Sequence, residues 1–425
     1  MFLALLLGPL NLLAPTKHLL PIQLDNMIPF SPPRIDKKTI EAVTAVLESG
    51  WITSGPQVRL FEERLSAYIG GSPVLALGSW TEAAELALRW YGIGPGDEVI
   101  VPAYTYAASA NIILHTGATP VFVDSLHDNC LIDPDALQAC FTNRTKAVIS
   151  VDIGGMPVDY SAIRQIIESA PFEAKNDAQR KLNRPLFLAD AAHSFGATYE
   201  GQKIGSQADI MGFSFHAVKN LTTAEGGGLS FALPDSFNMT EVLKWFRAMS
   251  LHGQTKDAFS KTTTGGWRYD IIAPGYKCNM TDIQAAIGLV ELERYPETLE
   301  RRQNICEAYE RAFEEYEWAL LPDLAYDDAQ SSYHLYMLRI DGASEDQRDE
   351  IIDLIMAKGV SVNVHFVPLP VLSAYKNLGY KVEDYPNAFN LYRNEISLPV
   401  YFDLNDAQVA QVIDAVAKSV EKVLS

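Results

Sequence analysis

Cysteine is scarce in this chain: four in 425 residues, Cys130, Cys140, Cys278 and Cys306, none of them spaced as C-x-x-C. No His/Cys cluster has the spacing of metal ligands either. This argues against a disulfide scaffold and a zinc or dithiol centre, suits a reducing cytoplasm, and predicts four ordinary thiols that behave as small hydrophobes. Positive charge is also in deficit, with 34 Lys and Arg against 53 Asp and Glu and a net charge of −19. Such a chain is a poor partner for nucleic acid or an anionic membrane surface. Any anionic ligand has to be held by local devices, such as a helix N-terminus or a single placed cation. Long apolar runs are missing too. The best candidate, Phe2 to Ala14, is broken by Pro9, has no basic segment before it, and is well short of the ~20 residues a membrane span needs. We read residues 1–26 as an apolar extension outside the structured core, with ordered sequence starting at Met27. There are no internal repeats and no low-complexity tracts.

The chain does have a hydrophobic content of 48 %, enough for one large domain and a smaller one. From about residue 60 onward, helical and strand patterns alternate. Leu60 to Tyr68 is amphipathic, and Trp80 to Tyr91 places Ala83, Leu86, Ala87 and Trp90 on one helical face. A breaker-rich turn, Gly92 to Asp97, follows. Strands are predicted at Glu98 to Val101, Thr119 to Val123, Lys146 to Val151, Leu186 to Ala189 and Asp209 to Phe215, with helices at Tyr106 to His115 and Tyr160 to Ser169. Ala170 to Arg184 is polar and reads as a solvated surface loop. A long helical stretch from Thr281 to Phe313, interrupted at Tyr295-Pro296, links to a C-terminal part. There the pattern gives a strand (Tyr333 to Ile340), a helix (Asp349 to Lys358), a strand (Ser361 to His365) and a closing helix (Asp406 to Leu424). Alternating strands and helices imply an α/β fold with a mostly parallel, doubly covered sheet. We divide it into a large domain, 27–290, and a linking helix with a small domain, 291–425. Ligands bind such sheets at the carboxyl ends of the strands.

Two residues stand at such ends with telling chemistry. Lys219 follows the apolar run Phe213 to Val218 and precedes a hydroxyl-rich turn and three glycines, Gly226 to Gly228. A lysine in a half-buried apolar setting has a lowered pKa and is nucleophilic enough to form a Schiff base. Asp190 ends the run Leu186 to Ala189. One amine and one carboxylate are what pyridoxal phosphate requires: the first bonds its aldehyde, and the second keeps its ring nitrogen protonated.

Six motifs in order resemble the DegT/DnrJ/EryC1/StrS group of sugar aminotransferases, pyridoxal-phosphate enzymes of fold type I. They are Ser49 to Pro56, Gly92 to Pro102, Gly117 to Asp124, the Asp190 motif, the Lys219 motif, and Pro274 to Lys277 leading into Thr281 to Ala286. The resemblance implies a mostly parallel seven-stranded sheet covered by helices, with a smaller α/β domain after it. It implies that Lys219 bonds the cofactor and then shuttles a proton, and that Asp190 pairs with the ring nitrogen. Tyr106 falls where an aromatic ring stacks on the cofactor, and His193 beside its phenolic oxygen. Trp80 (where glycine is usual), Thr81 and Ser214 fall at the phosphate. Lys277 falls where a residue reaches the neighbouring subunit's cofactor, which implies a homodimer with a shared active site. Arg268, Lys277 and His365 are candidate nucleotide contacts, and no metal is implied.

The activity implied is transfer of an amino group from glutamate, leaving 2-oxoglutarate, to the C4 keto group of a nucleotide-linked sugar, most similar to the UDP-4-ketosugar members. Three other readings compete. A C3 dehydratase would carry histidine in place of Lys219. A cofactor-binding regulator without turnover has no need of an intact Lys219/Asp190 pair. Amination of a cyclitol, of another ketone or at sugar C3 would leave the same motifs.

Overall fold

The computed structural model describes residues 27–256 and 268–425; the apolar extension of residues 1–26 lies outside them. Runs such as Val99–Val101, Ala147–Ile149 and Leu186–Ala189 are apolar on both faces, which suits only strands covered by helices on either side. They sit inside a seven-stranded sheet in which Val74–Leu77, Gly227–Phe231, Ile210–Ser214, Leu186–Asp190, Thr145–Val151, Glu98–Pro102 and Thr119–Val123 are neighbours in that order. The five strands from Ile210–Ser214 to Thr119–Val123 run parallel, and Gly227–Phe231 is antiparallel to both of its neighbours. The fold is therefore the mostly parallel seven-stranded α/β architecture that the pattern and the resemblance imply.

Most predicted elements are present, and the differences have physical causes. Gly227 and Gly228, read as part of a turn, are strand residues. Their lack of a side chain serves packing: a Cβ on Gly227 would stand 2.3 Å from the backbone nitrogen of Trp80. Ala170 to Arg184 lies at the surface, with seven of its fifteen residues exposed, but it is more than a solvated loop. It carries a helix, Asp177–Leu182, and its polar side chains serve the end of the Trp80–Trp90 helix. Asn176 and the fully buried Gln179 both donate to the Tyr91 carbonyl at 3.0 Å, and Arg184 forks onto Asp209 at 2.6 and 2.7 Å. Polarity in the sequence signalled water, whereas the folded chain uses it to satisfy buried carbonyls. Ser361 to His365 is not a strand. It makes only single bridges nearby, Val360 to Ile28 and Asn363 to Ser397.

The small domain has a three-stranded antiparallel sheet, Ala319–Leu320, Tyr336–Ile340 and Glu395–Leu398. The helices Tyr295–Phe313, Glu345–Ala357 and Asp406–Leu424 accompany it. Its core is separate from that of the large sheet, but the two cores do not divide the chain at 290. Ile28 packs in the small core, while Leu369, Tyr375, Leu391 and Tyr392 pack in the large one. That returning segment is pinned over the strand ends. Asp124 accepts from the Asn387 and Ala388 amides at 3.0 and 2.8 Å, and the Leu369 amide donates to the Ala103 carbonyl. The return brings His365 and Phe366 to the mouth of the large sheet.

All four cysteines are free. Burial pushes the thiols of Cys130, Cys278 and Cys306 up to about 12, which leaves them unreactive at neutral pH.

Candidate active site

The carboxyl ends of the parallel strands open into a cleft of about 340 Å³ between the two domains. Seven of the eight sequence-predicted cofactor residues, Trp80, Thr81, Tyr106, Asp190, His193, Ser214 and Lys219, line it. Asp190 is the last residue of its strand, and its buried carboxylate is held from two sides. The Ser109 hydroxyl donates to Oδ2 at 2.8 Å, and the Ala192 amide donates to Oδ1 at 3.1 Å. Burial raises the carboxyl to about 6 against those hydrogen bonds and the charge of Lys219. Lys219 is half-buried in the turn after Ile210–Ser214. Burial lowers its amine to about 8, with the Asp190 charge opposing. A lysine so placed has a substantial neutral fraction near physiological pH, as a nucleophile or proton carrier requires.

Four imidazoles line the cleft. His216 lies 3.6 Å from the Glu225 carboxylate, and the contacts of the other three specify what each offers. His193 accepts from the Gly154 amide at Nδ1, 3.2 Å away, and burial beside Lys219 and His365 keeps it neutral. Its proton therefore sits on Nε2 as a donor. His334 pairs at 2.8 Å through Nδ1 with the Asn220 Oδ1 atom, whose amide nitrogen is committed to the Ser332 carbonyl. His334 thus donates from Nδ1 and keeps an acceptor at Nε2. The rings of His193 and His334 lie 4.4 Å apart. His365 is the third, with Phe30 stacked on it at 5.4 Å.

Tyr106 is 63 % exposed, its ring tilted against Phe366 at 5.7 Å. An exposed aromatic face at the mouth of a cleft is a ready stacking surface. Ser79 is the N-cap of the Trp80–Trp90 helix, its hydroxyl accepting from the Glu82 amide at 3.1 Å. The first helical turn, with Thr81, lies along the cleft, so the positive end of the helix dipole and a hydroxyl are available to an anion. Trp80 contributes there through its backbone only. Its indole is buried, with Nε1 unpartnered among the described residues and close to Gly212. Glycine is not required at this position, because the first residue of a helix has ordinary helical geometry.

Gly227→Ala is expected to push this first turn aside, since the added methyl would meet backbone atoms of Ser79 and Trp80. A cost of about 1–3 kcal/mol of stability is expected, together with weaker retention of an anionic cofactor. Chemical denaturation and cofactor titration would check both.

The sequence-predicted Lys277 is not in this cleft. It donates to Asn279 and lines a smaller pocket with Glu82, Glu85 and Tyr276. Arg268 is likewise absent from the cleft lining, whereas His365 is part of it. Sequence reasoning missed Ser109, His334, Phe30 and Phe366. Ser109 carried a usable signal, at one helical turn beyond Tyr106.

Taken together, a lowered amine, a carboxylate held beside it, an exposed ring face, a neutral imidazole N–H and a helix N-terminus with hydroxyls fit pyridoxal phosphate donor for donor. Comparison with known proteins agrees. Residues 33–417 match the model of the DegT/DnrJ/EryC1/StrS aminotransferase family. The chain is 45 % identical to Spr1654 of Streptococcus pneumoniae, described as a sugar aminotransferase, in its PMP form, with a TM-score of 0.90 over 93 % of this chain and 100 % of that one. A PLP form of the same protein matches at 44 % identity. It is 40 % identical over 397 residues to the spore coat polysaccharide biosynthesis protein SpsC of Bacillus subtilis, covering 92 % of this chain and 97 % of SpsC. Helicobacter pylori PseC, an aminotransferase of pseudoaminic acid biosynthesis, is 28 % identical with a TM-score of 0.82 over 93 % of this chain and 100 % of its own.

Proposed function

The chain belongs to the DegT/DnrJ/EryC1/StrS aminotransferase family and is a pyridoxal-phosphate-dependent aminotransferase; from that premise we propose that it moves an amino group from glutamate to the C4 keto group of a nucleotide-linked sugar. The observation that carries the reading is the placement of Lys219 and Asp190 in one cleft. Sugar chemistry draws support from the relatives: Spr1654 is described as a sugar aminotransferase, and SpsC and PseC take their names from polysaccharide and pseudoaminic acid biosynthesis. Polysaccharide biosynthesis is the corresponding role proposed here. Lysine at 219 speaks against the dehydratase branch.

Pyridoxal phosphate, when bound, supplies an electron sink for the carbon that loses or gains the proton. The chain's own groups do the rest. Lys219, with its amine near 8, takes the proton from the donor's α-carbon and returns it on the other side of the reaction. Asp190, fixed by Ser109 and Ala192, is placed to hold a proton on the cofactor's ring nitrogen. His193 offers its Nε2–H to the phenolic oxygen, Tyr106 covers the ring, and Thr81, Ser214 and the helix N-terminus take the phosphate.

Among the described residues, Lys219 is the one lysine or arginine that lines the cleft. A nucleotide diphosphate and an amino acid carboxylate both need cations. A second copy of the chain contributing Lys277 would supply one, which supports a homodimer with a shared site. Among the described residues no helix is long and apolar enough to cross a membrane; cytoplasmic residence is the setting proposed.

The test is to incubate the holoenzyme with glutamate and a panel of UDP- and dTDP-linked 4-ketosugars, following 2-oxoglutarate and aminated product by mass spectrometry. Equimolar 2-oxoglutarate and amino sugar nucleotide is the expected result. Turnover confined to free cyclitol ketones, or to 3-ketosugars, would overturn the substrate assignment.

A further inference from the structure

Glu395 is buried completely in the small domain and plays no part in the chemistry above. It shares one face of its strand with Ser397, two residues on, while Ile396 and Leu398 face the apolar core. The Ser397 hydroxyl contacts Glu395 Oε1 at 2.5 Å and His365 Nδ1 at 2.9 Å. Glu395 Oε2 accepts the His365 backbone amide at 2.9 Å, which ties the carboxyl to the segment that carries the imidazole. His365 lines the cleft together with Lys219. A continuous chain of hydrogen bonds therefore runs from a buried carboxyl to the reacting end of the cleft.

We propose that Glu395, Ser397 and His365 form a proton relay into the active site, with His365 Nε2 as the end that meets the substrate. Exchanging a keto oxygen for an amino group expels that oxygen as water, so it has to gain two protons. The relay delivers one of them. In the loaded state the Glu395 carboxyl donates to Ser397, Ser397 donates to His365 Nδ1, and Nε2 carries a proton toward the cleft. When Nε2 releases its proton to the leaving oxygen, the Ser397 proton passes to Nδ1 and the Glu395 proton passes to Ser397. The discharged state has an ionised Glu395, Ser397 donating to it, and a bare lone pair at Nε2. Only O–H and N–H bonds form and break, and one proton is lost overall. The same heavy-atom positions serve both states. Asn363 has its oxygen committed to the Val364 amide at 2.9 Å and turns its amide nitrogen toward Nε2 at 3.4 Å.

The surroundings suit the task. Burial raises Glu395 to about 8, against Ser397, the His365 amide and the Arg348 charge. Tyr104 and Cys130 of the large domain also face it, both held protonated by burial, and Arg339 lies opposite on the next strand. Burial and the Lys219 charge push His365 down to about 3, with His193 and His334 the other imidazoles near it. His365 therefore stays neutral and changes only its tautomer. A carboxyl with a raised pKa is loaded below that value and empties as pH rises through it, so the relay works at neutral pH and is lost on the alkaline side.

The test is nitrogen NMR of the holoenzyme labelled with ¹⁵N-histidine, with the His365 signals identified by their loss in His365→Gln. Wild type should shift from the Nε2–H to the Nδ1–H tautomer as pH rises from neutral to alkaline. Glu395→Gln should hold one tautomer throughout and lower kcat by about 10²-fold, the low end for a positioned proton donor. Ser397→Ala should also abolish the shift, and Ser397→Thr should restore it. A wild-type His365 that keeps one tautomer across the titration overturns the relay, whether or not the variants fold. A shift that persists in Glu395→Gln overturns it equally.

Discussion

Lys219→Ala is expected to abolish amino transfer while leaving the protein folded. Without the amine, the chain loses its covalent hold on the cofactor and its proton carrier together. The second loss alone is worth about 10²–10⁴-fold in rate. Lys219 sits in a turn and belongs to neither hydrophobic core, so truncating it leaves both cores intact. The circular dichroism spectrum and denaturation midpoint should match wild type, whereas single-turnover conversion of glutamate falls to the solution rate. The visible band of the cofactor should move to that of a free aldehyde. Added methylamine should recover part of the proton transfer, because the cleft then has room for a small amine where the side chain was. A variant that keeps wild-type turnover would remove Lys219 from the chemistry altogether.

Asp190→Asn is expected to cost about 10²–10³-fold in kcat, the size seen when one oriented electrostatic partner is removed from an active site. The amide keeps the shape and retains an oxygen for the Ser109 hydroxyl, but it cannot balance a protonated ring nitrogen. The same variant makes a second prediction through Lys219. Cofactor loading requires the free amine, so the loading rate of the cofactor-free chain should rise with pH through about 8 and then level off. The Asp190 charge raises the Lys219 pKa. Removing that charge lowers the pKa further and shifts the loading curve to lower pH. Visible absorbance after mixing with pyridoxal phosphate reports the rate. An unshifted curve would mean that the two groups do not sense each other.

The apolar strand runs, the helix spacing of Trp80 to Trp90 and the residues ending each strand were legible because parallel strands buried on both faces must be apolar throughout. Side chains beyond their carboxyl ends must in turn do something other than pack. Lys219 and Asp190 were legible for that reason. Other features depended on partners distant in sequence. The polar stretch at 170–184 reads as solvated because nothing local tells that Asn176 and Gln179 will meet the Tyr91 carbonyl. Gly227 reads as a turn because the backbone it lets in belongs to Ser79 and Trp80, nearly 150 positions away. Glu395 looks like one polar residue in a short strand until the chain returns at His365 and lays an imidazole beside Ser397. Periodicity and residue chemistry are local, and they determined the fold class, the cofactor and the two residues proposed to stand closest to the reaction. Burial, tautomer and hydrogen-bond direction depend on what the distant chain places alongside, and those the tertiary structure alone decided.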